Sequence, residues 1–138
     1  KLKAIQDNGE DEIAFAFGDK HIRFSEVAST GTKTLALFYF WLQRLQESKE
    51  VSFVFIDEFD AFYHHKLSAL IVNELKKITS QVILTTHNTA IMTNDLLRPD
   101  CYFVMQNNEI KPLYKFTDKE LRSAHNIEKM YRAGAFDA

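Results

Sequence analysis

Residues 51–61 read Val-Ser-Phe-Val-Phe-Ile-Asp-Glu-Phe-Asp-Ala, a nearly continuous apolar run of strand length that ends abruptly in two carboxylates, Asp57 and Glu58. An unbroken apolar run, rather than an alternating one, predicts a strand covered on both faces, as in a parallel sheet. Open α/β sheets bind their ligands at the carboxyl ends of such strands. Two adjacent carboxylates are costly to bury unless a metal or a phosphate-bound cation compensates. In nucleotide hydrolases the first carboxylate holds Mg²⁺ and the second orients or deprotonates the attacking water. The competing reading is that Asp57-Glu58 caps the next helix, whose dipole favours acids at its start.

The flanking sequence predicts layered α/β structure. Lys66–Lys77 places Leu67, Leu70, Ile71 and Leu75 at helical spacing, continued by Ile78, and Val82–Thr86 is a second buried strand. Tyr102–Gln106 predicts a third strand, which Ile110–Phe116 joins through the Asn107-Asn108 turn. Thr117 and Glu120 form a capping-box pattern for a helix from about Asp118 to Ala133, closed by Gly134. Upstream, Gly31 to about Glu47 predicts a helix buried on most sides, and Ile13–Phe17 with His21–Phe24 predicts a hairpin around Gly18-Asp19. Residues 1–11 read as loose, or as part of a preceding element. The expected fold is a single α/β domain over residues 1–138, with a mostly parallel core sheet, flanking helices and peripheral antiparallel strands.

Composition narrows the function. A chain of 138 residues is one ordinary domain, and 46% hydrophobic against 26% charged residues is globular rather than disordered. A formal net charge of -2 excludes a generally basic, nucleic-acid-coating protein. Cys101 is the single cysteine, which excludes a disulfide framework and predicts a reducing, cytoplasmic setting. The longest apolar run, Leu35 to Leu42, is eight residues, far below the roughly 20 needed to span a bilayer. The chain opens at Lys1 without a leader, so it is expected to be a piece of a longer protein.

Two more polar clusters accompany the acidic pair. Thr85-Thr86-His87-Asn88 follows the second buried strand, at the sheet edge where Asp57 also emerges. There His87 could hydrogen-bond a phosphate oxygen, or serve as a plain structural hydrogen-bonder. Ala28-Ser29-Thr30-Gly31-Thr32-Lys33 opens a helix, and free N–H groups with the helix dipole make an anion site. N-capping by Ser29 or Thr30 explains the same residues more simply. The segment is not a P-loop: Thr32 separates Gly31 from Lys33 and Glu26 stands where the first glycine belongs.

In order and spacing these segments resemble the C-terminal half of an ABC-type ATPase head of the SMC and RecF kind. Ser29-Thr-Gly-Thr-Lys-Thr-Leu35 is similar to the S-G-G-E-K-S-L signature, Val51–Glu58 to a Walker B strand, and Asp57-Glu-Phe-Asp-Ala61 to the entry of a D-loop. Val82–His87 resembles the last core strand and switch-histidine loop. Thr30 and Thr32 depart from the signature, and His64 stands where a D-loop aspartate is usual, variants that the OLD-like ATPases of bacterial defence and DNA maintenance tolerate better than transporters do. The resemblance implies that Asp57 holds Mg²⁺, Glu58 polarises the hydrolytic water and His87 contacts the γ-phosphate. It also implies that Asp60 couples two sites, while Ser29, Thr30, Gly31 and Thr32 grip ATP bound to the opposite subunit. ATP would then join two heads into a homodimer, acting on nucleic acid or gating an effector nuclease, with no membrane involved. Because the P-loop is absent from this sequence, residues 1–138 alone are expected to be inactive.

Two readings of other classes remain open. One is a non-catalytic regulatory or binding module that keeps the fold, and the other is a metal nuclease built on Asp57, Glu58, Asp60 and His87. His64-His65 could suggest a metal site, but adjacent helical residues point about 100° apart and rarely share an ion. His125 and Glu128, with Arg122 and Lys129, read as a solvated or packing face of the terminal helix.

Overall fold

Two tight turns set the architecture of the amino-terminal part of the chain. Asn8 and Gly9 both lie in the left-handed region, at φ 51° and 84°. That is the type I′ geometry which joins antiparallel strands without splaying them. It pairs β1 (Leu2–Asp7) with β2 (Glu10–Phe17), Asp7 facing Glu10. Gly18, at φ 60°, then turns β2 into β3 (Lys20–Arg23), with Phe17 facing Lys20. Residues 2–7, expected to be loose, are therefore the first strand of a three-stranded meander.

The computed structural model describes residues 2–48, 50–106, 108–118, 121 and 125–136. It divides into two compact units, Lys1–Arg44 and Leu45–Ala138. In the first unit the Arg23 Nε donates to Asp7 at 2.6 Å, tying β3 to β1 across the sheet, and Ala14 at the centre of β2 is fully buried. The short helix α1 (Phe24–Val27) leads to α2 (Thr30–Glu47). Of α2 only Leu42 is buried, while Leu37, Tyr39, Phe40 and Trp41 are exposed, which corrects the expectation of a helix covered on most sides. One three-stranded sheet and a single-turn helix offer too little surface to cover every side of an 18-residue helix.

The second unit begins with a strand–helix–strand element. β4 (Phe53–Ile56) and β5 (Gln81–Leu84) pair in parallel, Phe53 facing Gln81 and Ile56 facing Leu84. Between them runs α3 (His65–Leu75), which buries Ser68, Ile71, Val72 and Leu75, the i, i+3, i+4, i+7 stripe of an amphipathic helix. The two sides of the strands differ: Val54, Ile56, Val82 and Leu84 are half-buried, whereas Phe53, Phe55 and Ile83 are exposed. The apolar run is thus covered on one face among the described residues, not on both.

The third expected core strand lies elsewhere. β6 (Phe103–Gln106) pairs antiparallel with β7 (Glu109–Pro112) around Asn108, whose φ is 60°. Among the described residues the parallel sheet is therefore the pair β4–β5 and not a mostly parallel core. β7 ends at Pro112, which has no N–H to continue the ladder, and a 3₁₀ turn over Leu113–Lys115 replaces the expected strand to Phe116. The terminal helix is also shorter than its pattern predicts. α4 covers Ile127–Arg132, starting at Asn126, whose side chain accepts from Lys129 N–H at 2.8 Å. Glu120 of the proposed capping box lies outside the described residues, as does Arg122. Gly134, at φ 76°, closes α4 with a Schellman motif: Ala135 N–H donates to Met130 O and Gly134 N–H to Tyr131 O, each at 3.0 Å.

The core of this unit gathers Tyr102, Val104, Leu113, Ile127 and Phe136. The Tyr102 hydroxyl accepts from Thr93 N–H at 3.1 Å and lies 2.9 Å from Ile91 O and 2.8 Å from Thr93 O. It so anchors the segment that follows β5, and burial pushes its pKa above 10.0. No helix among the described residues is long and apolar enough to cross a membrane.

Candidate functional site

Because Ile56 and Leu84 are register partners, β4 and β5 end level with one another. The residues that follow them, 57–61 and 85–88, therefore share one edge of the parallel pair. The ladder runs one step beyond the strands: Thr85 N–H donates to Ile56 O and Phe59 N–H to Thr85 O, each at 3.1 Å. The Thr85 hydroxyl donates to Asp57 Oδ1 and accepts from Glu58 N–H at 2.7 Å. Glu58 takes a left-handed backbone, φ 44°, that a side chain with a Cβ seldom adopts. A turn then follows, with Ala61 N–H donating to Glu58 O and Tyr63 N–H to Asp60 O, both at 3.0 Å.

Asp60 is 7% exposed, and both of its carboxylate oxygens accept hydrogen bonds. Thr86 Oγ1 donates to one and Asn88 Nδ2 to the other, the latter at 2.9 Å. Asn88 N–H donates in turn to Thr86 Oγ1 at 2.9 Å, and Asn88 Oδ1 accepts from Ala90 N–H at 3.1 Å. A buried carboxylate is costly without such partners. The network holds the 58–61 turn against the segment after β5. Between Thr86 and Asn88, His87 projects outward, its side chain 92% exposed, with Nε2 3.4 Å from Glu58 Oε1. Glu58, Asp60, Ala61, His87 and Asn88 line an open cleft of ≈ 230 Å³.

The structure thus brings Asp57, Glu58, Asp60 and His87 to one sheet edge. From the sequence alone Thr85, Thr86 and Asn88 have no assigned part, although all three bond the acidic segment directly. The available signal was a run of polar residues beginning where a parallel strand ends, each able to donate towards a neighbouring carboxylate.

Ser29, Thr30, Gly31 and Thr32 lie in the other unit, at the start of α2. Ser29 Oγ accepts from Thr32 N–H at 3.2 Å and lies 2.8 Å from Thr32 Oγ1, so it performs the capping that the simpler reading gives it. Ser29, Thr30 and Thr32 are exposed. His64 caps α3, its Nδ1 3.5 Å from Lys66 N, and its ring lies 3.9 Å from that of His65. His125 precedes α4 rather than standing on it, and its carbonyl accepts from Asn94 Nδ2. Among the described residues no three His, Cys, Asp or Glu side chains are grouped to hold a metal ion.

Residues 3–93 match the family model described as "AAA domain, putative AbiEii toxin, Type IV TA system". The match spans 3–93 of 138 residues and takes in both acidic and histidine segments and the start of α2. The chain belongs to this AAA domain family, whose character is that of a P-loop ATPase. No curated protein matches the sequence.

Proposed function

We propose that this chain is the signature, Walker B and switch-histidine part of an ABC-type ATPase head, which hydrolyses ATP in the full-length protein and dimerises through it. The observation that carries this reading is the convergence of Asp57, Glu58 and His87 on one edge of the parallel pair, His87 Nε2 standing 3.4 Å from Glu58 Oε1. Glu58 would take up a proton from the attacking water or orient it, and His87, almost wholly exposed, would hydrogen-bond the terminal phosphate. Asp57 offers the hard oxygen donor that Mg²⁺ prefers, and one carboxylate with substrate phosphates is a common way of holding that ion. When bound, Mg²⁺ would neutralise charge on the phosphates.

The donor set favours this reading over a metal nuclease on the same residues. Asp60 is buried with both oxygens already bonded, and no group of three ligands is assembled among the described residues. Asp60 thus acts first as the tie between the 58–61 turn and the His87 segment, whatever it contributes across a dimer. The exposed hydroxyls of Ser29, Thr30 and Thr32 at the α2 start suit a phosphate bound to a second copy. The family description supports a place in a toxin–antitoxin system. On the proposed reading the head also serves phage defence, with a nucleic acid or an effector nuclease as the coupled partner.

The test is ATP hydrolysis by the full-length protein beside its Glu58→Gln variant, with size-exclusion chromatography in ATP and Mg²⁺. Removing the catalytic base is expected to slow turnover by about 10²-fold or more while ATP-bound dimers accumulate. If neither protein hydrolyses ATP nor dimerises with it, a non-catalytic binding module that keeps the fold takes the place of this reading.

A further inference from the structure

We infer that Thr85 is the positioning residue of the Asp57-Glu58 pair, an inference that rests on the ATPase reading of that pair. Four hydrogen bonds run between Thr85 and residues 56–59: its N–H to Ile56 O, its hydroxyl to Asp57 Oδ1, Glu58 N–H to that hydroxyl, and Phe59 N–H to its carbonyl. The last two fix the peptide groups on either side of the Glu58 α-carbon. They hold φ at 44°, a conformation that persists only where the surroundings impose it. With the backbone so turned, the Glu58 carboxylate reaches towards His87. The bond to Oδ1 restrains one oxygen of the Asp57 carboxylate. Thr86 and Asn88 bind Asp60 and so anchor the turn, whereas Thr85 binds the pair itself.

The chemistry asks for a hydroxyl at this position. One atom must donate to a carboxylate and accept from a backbone N–H at the same time, which serine also does and valine, of nearly the same shape as threonine, does not. Thr85 touches neither water nor phosphate in this role. It acts on the reaction through Asp57 and Glu58.

The experiment compares the full-length protein with its Thr85→Val and Thr85→Ser variants in steady-state ATP hydrolysis at saturating Mg²⁺, with thermal melting as the control for folding. Loss of an outer partner typically lowers activity 10–100-fold, so Thr85→Val is expected to lose about that much in kcat while KM for ATP stays within about twofold. Thr85→Ser, which keeps the hydroxyl, is expected to stay within about threefold of the parent. A Thr85→Val protein with full kcat, or a Thr85→Ser protein that loses more than about tenfold, overturns the inference. The second outcome decides the matter even where Thr85→Val fails to fold. A crystal structure of Thr85→Val reads the geometry without activity: Glu58 is expected to leave the left-handed region and the Asp57 carboxylate to turn. An unmoved pair overturns the inference whether or not the protein hydrolyses ATP. Failure of the parent and Glu58→Gln to differ in turnover strikes the ATPase reading instead.

Discussion

Glu58 combines the chemical role proposed for this site with its least comfortable backbone. A left-handed residue carrying a Cβ costs roughly 1–2 kcal/mol, and here that cost is borne by the residue whose carboxylate faces His87. Strain of this kind is kept where the geometry it produces is used. Two substitutions separate strain from chemistry. Glu58→Ala and Glu58→Gly both remove the carboxylate, but only glycine accepts φ 44° freely. Urea unfolding of the two variants is therefore expected to find Glu58→Gly more stable than Glu58→Ala by about 1 kcal/mol. Both should be equally poor in ATP hydrolysis. Equal stabilities would mean that the left-handed backbone is relaxed in the protein in solution.

At the scale of elements, α4 shows how much depends on helix ends. It has six residues, too few to persist on intrinsic propensity, so its ends and its packing must hold it. Asn126 caps one end, the Gly134 Schellman motif closes the other, and Ile127 is fully buried in the core. Asn126→Ala is expected to cost about 1 kcal/mol. Gly134→Ala, forced to φ 76°, is expected to cost at least as much. Thermal melting of each variant checks both values. Gly134 was legible in the sequence as the stop, but the start was not. Thr117 with Glu120 reads as a capping box, but Glu120 lies outside the described residues, and the helix described there is the one that Asn126 caps. Residues 2–7 form a strand although the stretch 1–11 as a whole is mostly polar, because Asn8-Gly9 is a strong short-range hairpin signal and outweighs it. The acidic pair, the histidine segment and the strands leading to them were readable because apolar runs ending in polar clusters mark strand ends. The hydroxyl bonds that orient those residues depend on the β4–β5 register, and no single stretch of sequence states which strands pair in which register.

For the whole molecule, the distribution of apolar surface is the informative quantity. Parallel strands normally have both faces covered, yet β4–β5 presents Phe53, Phe55 and Ile83 to solvent at 49%, 55% and 44% exposure. Three large side chains at alternate positions of paired strands form one contiguous apolar face, the kind of patch that seeks a partner. The proposed ATPase reading would supply a reason for it, because on that reading a P-loop-bearing part of the head would lay its own strands and helices against this face. Residues 1–138 expressed by themselves are therefore expected to self-associate at micromolar concentration, giving species heavier than a monomer in sedimentation velocity. They are also expected to enhance the fluorescence of an apolar dye. The double substitution Phe53→Ser with Phe55→Ser should suppress both signals, because it removes the two largest contributors to that face. The exposed Phe40 and Trp41 of α2 provide the contrast. If Phe40→Ser with Trp41→Ser suppresses association instead, the adhesive surface is the helix and the open sheet face is not what draws copies together. A clean monomer without dye binding would mean that the chain covers the β4–β5 face by itself in solution.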